Sequence, residues 1–266
     1  MTDQAHLHAY YERGEERDRL AEPIGQVEFL RTVEVLREHL PPAPATVADI
    51  GGGPGRYARW LADEGYAVHH RDLVPLHVEQ LRSDHPGIDS ALADARDLDL
   101  GDDSVDAVVL LGPLYHLEDR VERLTALREA ARVVRPGGVV VAAAITRWAA
   151  RLDGVMSKGL YRTLPDMVRI LDEVGEPTGV LPPLYPGSFT AYTHRPDELR
   201  AEVAEAGLEV VDLVVVEGIL FALADLEERM ADPSEREVLL ASARALQRVP
   251  ELLGIGPHLL VVARAG

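Results

Sequence analysis

The chain has 266 residues, with 27 lysines and arginines against 45 aspartates and glutamates, and its formal net charge is −18 at pH 7. Such an acidic protein is poorly suited to bind nucleic acid or anionic membranes, because both surfaces attract basic patches. The absence of cysteine excludes disulfides, thiolate metal sites and thiol catalysis. The length is typical of one α/β domain that carries insertions or a small cap.

Residues 1–40 are predicted to be mostly helical. Apolar side chains recur there every three or four residues, which places them on one helix face, and the prolines at positions 41, 42 and 44 end the helix. Residues 1–20 are polar and charged, without the apolar region of a secretory signal, and no apolar run approaches the length of a membrane span. We therefore expect a soluble cytoplasmic protein without a membrane partner.

Strands and helices alternate through residues 41–146. Apolar runs predict strands at residues 46–50, 66–70, 90–93, 106–111 and 139–145, and helices are predicted at residues 56–64, 76–83 and 121–134. The strongest strand runs are apolar without alternation, which indicates strands that are covered on both faces. The pattern predicts an α/β fold with a mostly parallel sheet, right-handed crossovers and helices on both faces.

The alternation stops between residues 147 and 194, and we interpret this stretch as an inserted substrate cap. Its aromatic side chains are candidates either for a substrate pocket or for the small core of the cap itself: Tyr161, Tyr185, Phe189 and Tyr192. Residues 195–266 then complete the sheet, with a helix at 196–206, strands at 208–217 and 259–264, and a helical insertion near 220–253. The length of that insertion leaves open whether the last strand is placed correctly.

A glycine-rich turn follows the first predicted strand and is the most informative motif in the chain. It contains Asp49, Gly51, Gly53 and Gly55 at alternating positions. A dinucleotide-binding turn would need a further glycine at position 56, where the chain has Arg56. Because Asp49 would repel a phosphate and attract an ammonium group, the turn favours a ligand with an amino-acid tail and no phosphate.

Residues 47–61, which contain this turn, resemble motif I of the class I S-adenosylmethionine-dependent methyltransferases. The resemblance continues at matching intervals along the chain. Asp72 stands where that family holds the ribose hydroxyls, Asp94 and Ala95 stand where it contacts adenine, and residues 111–116 stand where it lines the methyl-transfer site. Residues 135–138, with the sequence RPGG, resemble the turn before the fifth strand of the family.

This resemblance implies a Rossmann-like, mostly parallel seven-stranded sheet, with S-adenosylmethionine as the cofactor and S-adenosylhomocysteine as the product. It divides the chain into an N-terminal helical lid (1–40), a cofactor-binding half (41–146), the inserted cap (147–194) and the C-terminal part of the sheet (195–266). It also implies a set of cofactor contacts: Asp49, Gly51, Gly53, Gly55, Asp72, Leu73, Asp94, Ala95, Leu111 and Tyr11.

His116 is the leading candidate to act on the methyl acceptor, either as a general base or as a pocket contact. It follows the fourth predicted strand at the carboxyl edge of the sheet, and an ordinary histidine pKa of about 6.5 suits proton removal near neutral pH. Tyr115 is expected to be a pocket wall, and Tyr10 and Tyr11 are expected to belong to the lid. Arg195 is a candidate partner for a substrate carboxylate, although a helix-capping role fits it as well.

The resemblance predicts methyl transfer to an oxygen, nitrogen or carbon atom of a small molecule, with specialised metabolism as the setting. Residues 112–115 read GPLY and lack the N/D-P-P-Y motif of nucleic-acid amino methyltransferases, so we expect no nucleic-acid substrate. Two alternatives stay open: a non-catalytic module that binds the nucleoside, and a nicotinamide-dependent oxidoreductase. We expect no metal ion. The exposed helices could support a homodimer. His258 is a further candidate to face the pocket.

Overall fold

A mostly parallel β-sheet forms the centre of the protein. The computed structural model describes residues 10–14, 16–185 and 188–266, and within these ranges the sheet has nine strands. In chain order they are β1 (Thr46–Ile50), β2 (Ala67–Asp72), β3 (Asp89–Leu92), β4 (Val105–Leu110), β5 (Val134–Thr146), β6 (Val180–Leu181), β7 (Ala191–His194), β8 (Leu208–Val215) and β9 (His258–Ala265).

Seven of these strands are the ones that the sequence predicts, and they confirm the α/β fold class. Neighbouring strands follow the order β3-β2-β1-β4-β5-β9-β8, in which β9 is antiparallel to both of its neighbours. Strands β1 to β5 are parallel to one another, so their carboxyl ends share one edge of the sheet. Ligands bind at this edge in open α/β sheets.

Strands β6 and β7 extend the sheet beyond the seven predicted strands. They lie within residues 147–194, where the sequence predicts a cap without strands. Strand β7 pairs in parallel with the last residues of β5, through Ile145 with Thr193 and Thr146 with His194, and β6 is antiparallel to β7. The end of the predicted cap therefore belongs to the sheet, because the last residues of β5 have a free edge there.

Helices cover both faces of the sheet. In the described part of the chain they are α1 (Glu16–Arg19), α2 (Pro23–His39), α3 (Arg56–Asp63), α4 (Pro75–Asp84), α5 (Arg120–Val133), α6 (Met167–Ile170), α7 (Glu176–Thr178), α8 (Pro196–Glu205), α9 (Leu226–Ala231) and α10 (Pro233–Leu246). Short 3-10 turns lie at Pro113–His116, Leu160–Arg162, Gly218–Ala222 and Pro250–Leu252, and π-helical turns lie at Ala150–Ser157 and Leu171–Gly175.

The N-terminal helical region contains α1 and α2, which residues 20–22 separate. Residues 1–9 and 15 of the predicted lid lie outside the described residues. Helix α2 is the long helix that the apolar periodicity predicts. None of the helices in the described ranges has the length and apolar character that crossing a bilayer requires.

Side chains that alternate along β4 explain why both faces of the sheet are packed. Val108 and Leu110 belong to the apolar core on one face, and Ala107 and Val109 belong to the core on the other face. All four are buried, as expected for a central strand with a two-residue repeat. Helices α5 and α8 contribute to the first core, and helices α2 and α3 contribute to the second.

Residues 135–138, predicted as a turn before the fifth strand, lie inside β5. The strand pairs with β4 both before and after this stretch, and a register shift lets Asp106 of β4 face these four residues. Gly137 adopts a left-handed φ of 75°, and Arg135 forms an ion pair with Asp106. The strand thus begins earlier than predicted, because a β-bulge accommodates the extra residues without ending the pairing.

The last predicted strand is present, and a helical insertion accounts for the long connection that precedes it. Strand β9 pairs with β5 through residues 258–264 and with β8 through residues 259–265. Helices α9 and α10 lie between β8 and β9. Of the two explanations that the sequence left open, the insertion is therefore the right one.

A buried ion pair joins two helices to strand β7. Arg123 of α5 donates from Nε and Nη2 to the two carboxylate oxygens of Glu202 of α8, at 3.0 and 2.7 Å. His194 of β7 hydrogen-bonds the same carboxylate at 3.1 Å. Burial alone would raise the pKa of Glu202, but the bonds to His194 and Arg123 outweigh it and lower the pKa to about 2. Glu202 therefore keeps its charge inside the protein.

We expect Arg123→Met to lower the free energy of unfolding by about 3–5 kcal/mol, because it leaves the buried Glu202 charge without its main partner. Arg169→Met is the control, since Arg169 forms only exposed ion pairs, and it should change stability little. Urea unfolding followed by circular dichroism measures both variants. Equal losses of unfolding free energy in the two variants would show that the buried ion pair contributes no more to stability than the exposed pairs.

Candidate functional site

A cavity of about 360 Å³ lies at the carboxyl edge of the sheet. The loops that follow β1, β2, β3 and β4 form much of its wall. The N-terminal segment adds Tyr11, Arg19 and Leu20, and the segment before β7 adds Phe189 and Thr190. Because the parallel strands end at one edge, residues far apart in the sequence meet around a single space.

The turn after β1 presents main-chain atoms to this cavity. Gly51 and Gly53 both have left-handed φ angles, of 66° and 58°. A Cβ atom on Gly51 would lie 2.6 Å from Cδ of Pro113, in the loop after β4, whereas a Cβ atom on Gly53 would meet only Glu16, at 3.9 Å. The backbone conformation and the close approach of two loops therefore favour glycine here.

The Asp72 carboxylate connects the turn after β1 to the loop after β2. Its Oδ2 accepts the N–H of Gly53 at 2.8 Å, and its Oδ1 accepts the N–H of Val74 at 2.8 Å and a hydrogen bond from Nδ1 of His77 at 3.1 Å. Burial alone would raise the pKa of Asp72, but these bonds outweigh it and hold the pKa below its usual range. Asp72 is therefore an anion at neutral pH, and Oδ2 has acceptor capacity left.

Asp49 lies behind the glycine turn and not on the cavity wall. Its side chain is buried, and a Cβ atom on Gly52 would collide with its Oδ2. Among the described residues, neither carboxylate oxygen of Asp49 has a hydrogen-bond partner of normal geometry. Burial, assisted by the charge of Asp72, raises the pKa of Asp49 to about 7. Asp49 thus carries less negative charge at neutral pH than the sequence implies.

Aromatic rings cover one side of the cavity. The hydroxyl of Tyr11 lies 2.8 Å from Nε2 of His116. The Tyr11 ring also packs edge-on against the rings of His77 and His116, with centroids 5.1 and 5.6 Å apart, and Phe189 packs on His116 at 4.7 Å. The N-terminal segment, the loop after β4 and the segment before β7 therefore meet in one cluster.

His116 is neutral in this cluster. Burial lowers the pKa of His116 to about 3. A neutral ring whose hydrogen is on Nδ1 accepts the Tyr11 hydroxyl at Nε2. Nδ1 is buried and has no partner within the described ranges. This geometry favours the pocket-contact interpretation of His116 over the general-base interpretation, because a ring with so low a pKa is too weak a base to remove a proton near neutral pH.

Comparison with known proteins identifies the domain that carries this cavity. Residues 48–142 match the family model described as a methyltransferase domain. An uncharacterized methyltransferase of Mycobacterium tuberculosis is 37% identical over 99 residues, which are 37% of this chain and 39% of that protein. Residues 48–142 therefore form a methyltransferase domain, in line with the resemblance of this part of the chain to the class I S-adenosylmethionine-dependent methyltransferases.

Other relatives also match over only part of the chain. Methyltransferase GfsG of Streptomyces halstedii is 34% identical over 146 residues, which are 52% of this chain and 49% of that protein. The human probable tRNA methyltransferase 9B is 32% identical over 108 residues, which are 41% of this chain and 22% of that protein. Each match thus spans less than half of the relative's own length.

The fold of the protein is shared with solved structures over nearly its whole length. A chain of the complex between the Trm112 methyltransferase activator of Haloferax volcanii and a methyltransferase superposes with a TM-score of 0.61. The superposition covers 97% of this chain and 96% of that chain, at 21% identity. At this level of identity, the likeness shows a common fold.

Most of the cofactor contacts that the sequence predicts line this cavity: Gly51, Gly53, Asp72, Leu73, Asp94, Ala95, Leu111 and Tyr11. Two do not. Asp49 lies behind the turn, and a Cβ atom on Gly55 would lie 2.5 Å from Leu81 of α4, so this glycine serves the packing of the turn on a helix. Asp94 is partly engaged, because Arg96 donates to its two oxygens at 2.9 and 2.5 Å.

The predicted acceptor residues are divided between the cavity and other parts of the protein. Tyr115, His116 and Phe189 line the cavity. Tyr10 packs on Phe189 with ring centroids 4.9 Å apart, but it does not line the cavity. Arg195 is the N-cap residue of α8, and its backbone N–H donates to the side chain of Glu198, which is the capping alternative of the sequence analysis.

The tyrosines of the cap do not contribute to the cavity. Tyr161 and Tyr185 are 43% and 46% exposed, and the ring of Tyr192 lies under the guanidinium of Arg123, whose Cζ is 3.4 Å from the ring centroid. Residues 150–178 form short helical turns that pack on one another. The cap aromatics therefore point to solvent or to structural contacts, and only Phe189 reaches the cavity.

Several charged residues of the site are not predicted from the sequence. His77 lies one turn into α4, directly after the Asp72 loop, and this position is a signal that could have identified it. Arg19 and Glu28 line the cavity from the N-terminal region and form an ion pair. Nothing in the helical periodicity shows that these two residues face the sheet edge, because periodicity alone does not orient a helix.

We expect Asp49→Asn to stabilise the protein at pH 8 and to change its stability little at pH 4. The pKa of Asp49 rises from 3.8 to about 7 on folding, so the folded state holds a proton that the unfolded state releases. Asp49 should therefore contribute a fall in stability of about 1.4 kcal/mol per pH unit between these two values. Asparagine does not ionise, so the variant should lose this dependence.

Urea unfolding from pH 4 to pH 8 measures this difference. Asp99→Asn is the control, because Asp99 is an exposed partner of Arg71 and should leave the wild-type pH dependence in place. Identical pH dependence in wild type and Asp49→Asn would contradict the assignment of a buried, partly protonated Asp49.

Proposed function

We propose that the protein transfers a methyl group from S-adenosylmethionine to a small-molecule acceptor. The observation that carries this proposal is the covered cavity at the carboxyl edge of the sheet. Its volume of about 360 Å³ falls in the range of small-molecule sites. Tyr11 and Phe189 lie over it and contact His116, so a large, flat partner would have to displace this cover to reach the interior.

The residues of the cavity fit the cofactor. The Asp72 carboxylate has acceptor capacity left on Oδ2 for a ribose hydroxyl, and the turn at Gly51 and Gly53 lets an amino-acid tail approach the main chain. Ala95 and Leu111 offer apolar wall for the adenine ring. When bound, S-adenosylmethionine supplies a methyl group that its sulfonium already activates.

The remaining work of the protein is to position the acceptor and to exclude water. Tyr11, His116 and Phe189 form an aromatic cover in which no ring is charged at neutral pH. Nδ1 of His116 is a buried donor without a partner among the described residues, and it suits an oxygen atom of the acceptor. Because the donor methyl is already activated, positioning supplies much of the rate.

Calorimetry with S-adenosylhomocysteine tests the cofactor assignment. Wild type should bind it with micromolar affinity and should not bind NAD. Asp72→Asn should weaken binding about 10- to 100-fold, since hydrogen bonds to a charged group contribute about 1.5–3 kcal/mol, and Asp99→Asn should bind like wild type. Binding of NAD alone would instead support the nicotinamide-dependent alternative.

His116→Ala is expected to lower turnover at least tenfold and to leave the affinity for S-adenosylhomocysteine within twofold, because His116 is proposed to contact the acceptor. Transfer of tritiated methyl groups to a panel of phenols, amines and other small molecules measures turnover. His69→Ala removes a histidine outside the cavity, on β2, and should behave like wild type. Equal losses of turnover and affinity in His116→Ala would assign the residue to cofactor binding.

Methylation of tRNA is the second candidate, because one relative is named a probable tRNA methyltransferase. The net charge of −18 opposes it, since binding a polyanion needs basic surface. The tritium assay with tRNA as acceptor separates the two candidates: labelled tRNA without any labelled small molecule would replace our proposal. Cofactor binding without transfer to either class would indicate a non-catalytic module.

A further inference from the structure

A second cavity lies beside the first, and the two share a wall. Its volume is about 570 Å³. Arg19 and Glu28 line both cavities, and Arg19 donates two hydrogen bonds to the Glu28 carboxylate, at 2.5 and 3.0 Å. The proposed cofactor site and the second cavity are therefore adjacent, and they meet at this ion pair.

The second cavity combines an apolar surface with a histidine at the sheet edge. Ile24, Leu223, Leu226 and Pro257 supply apolar surface. His258 is the first residue of β9 and pairs with residue 145, at the carboxyl end of β5. It thus lies at the same edge of the sheet as the first cavity.

Glu217 holds the His258 ring in one orientation. Nδ1 of His258 lies 2.5 Å from Oε1 of Glu217, and Oε2 of Glu217 accepts the backbone N–H of His258 at 3.1 Å. The Glu217 side chain is only 1% exposed, so packing fixes it. A buried carboxylate that orients one ring nitrogen is the usual support of a histidine base.

The other ring nitrogen of His258 is left for a ligand. No described residue hydrogen-bonds to Nε2, and 22% of the side chain is exposed where it lines the second cavity. This arrangement differs from that of His116, whose accepting nitrogen is occupied by Tyr11. Of these two histidines, His258 therefore has the geometry of a base.

We propose that His258 is the general base for an acceptor with an acidic hydroxyl group, such as a phenol or an enol, which binds in the second cavity. This inference rests on the proposed methyl transfer. As the new carbon–oxygen bond forms and the carbon–sulfur bond breaks, the hydroxyl proton passes to Nε2 of His258. The products are the methyl ether, S-adenosylhomocysteine and the His258 imidazolium, which returns the proton to solvent.

The charges around His258 match this class of hydroxyl. Burial alone would lower the pKa of His258, but the carboxylates of Glu217 and Glu28 outweigh burial and the nearby Arg19 charge, and they raise the pKa to about 9. A base of this strength is matched to a phenol, whose pKa is about 10. The other charged groups that line the second cavity are Glu22, Asp153, Lys158 and Glu227.

Kinetics with a panel of phenols test the proposal. His258→Asn should lower kcat at least 100-fold, since general bases contribute about 10²- to 10⁴-fold, and it should bind S-adenosylhomocysteine within twofold of wild type. Glu217→Gln removes the nearest carboxylate, so the rise of kcat with pH should move at least one unit to lower pH. A purely structural role would not produce that shift.

The matched control is His39→Asn. His39 has the same kind of partner, with Nε2 3.1 Å from Oδ2 of Asp212, but it lies outside both cavities. It should keep the wild-type kcat and pH profile. His258→Gln is the second variant, and it should show the same loss of kcat as His258→Asn.

A binding experiment gives a readout without turnover. With S-adenosylhomocysteine present, wild type should bind 4-nitrophenol saturably and hold it in its coloured, ionised form below the pH at which it ionises in solution. Both His258 variants should lose this colour change. An absorbance that is the same with wild type and with the variants would overturn the proposal.

The outcomes separate this inference from the proposed function. If the His258 variants still methylate phenols, or if Glu217→Gln leaves the pH profile of kcat unchanged, His258 is not the base. The proposed methyl transfer would stand in both cases. Methylation of amines but not of phenols would have the same meaning. If the wild-type protein labels no acceptor of any class, both the proposed methyl transfer and the role of His258 are refuted.

Discussion

The hydrogen bonds of one buried carboxylate hold the candidate site together. Asp72 accepts bonds from the turn after β1, from the loop after β2 and from His77, so it sets how far apart two walls of the cavity lie. These bonds keep Asp72 ionised in spite of its burial. Its charge in turn helps to raise the pKa of Asp49, because two neighbouring buried carboxylates resist ionising together.

The surroundings of two histidines give them opposite properties. His116 lies among aromatic rings, and burial lowers its pKa and keeps it neutral. His258 lies beside Glu217 and Glu28, and these carboxylates raise its pKa and favour the imidazolium. Environments that push pKa values apart allow two similar side chains to take different roles. Here one suits contact with the acceptor and the other suits proton transfer.

The predictable part of the site consists of residues that directly follow strands. Gly51, Asp72 and Leu111 line the cavity because each stands just after a strand of a parallel sheet, and such positions meet at one edge. The cap tyrosines were not predictable in the same way. Tyr161 and Tyr185 lie among or near short turns without a sustained repeat, so the sequence contains no signal of which way their side chains point.

By itself, the sequence determined the α/β class, the seven main strands and the glycine turn, because apolar runs and glycines act on the local backbone. Only the tertiary structure decided that Glu28, Glu217 and His258, which are far apart in the chain, share a wall of one cavity. It also decided the opposite pKa shifts of His116 and His258. A pKa depends on burial and on the distance to other charges, and packing sets both.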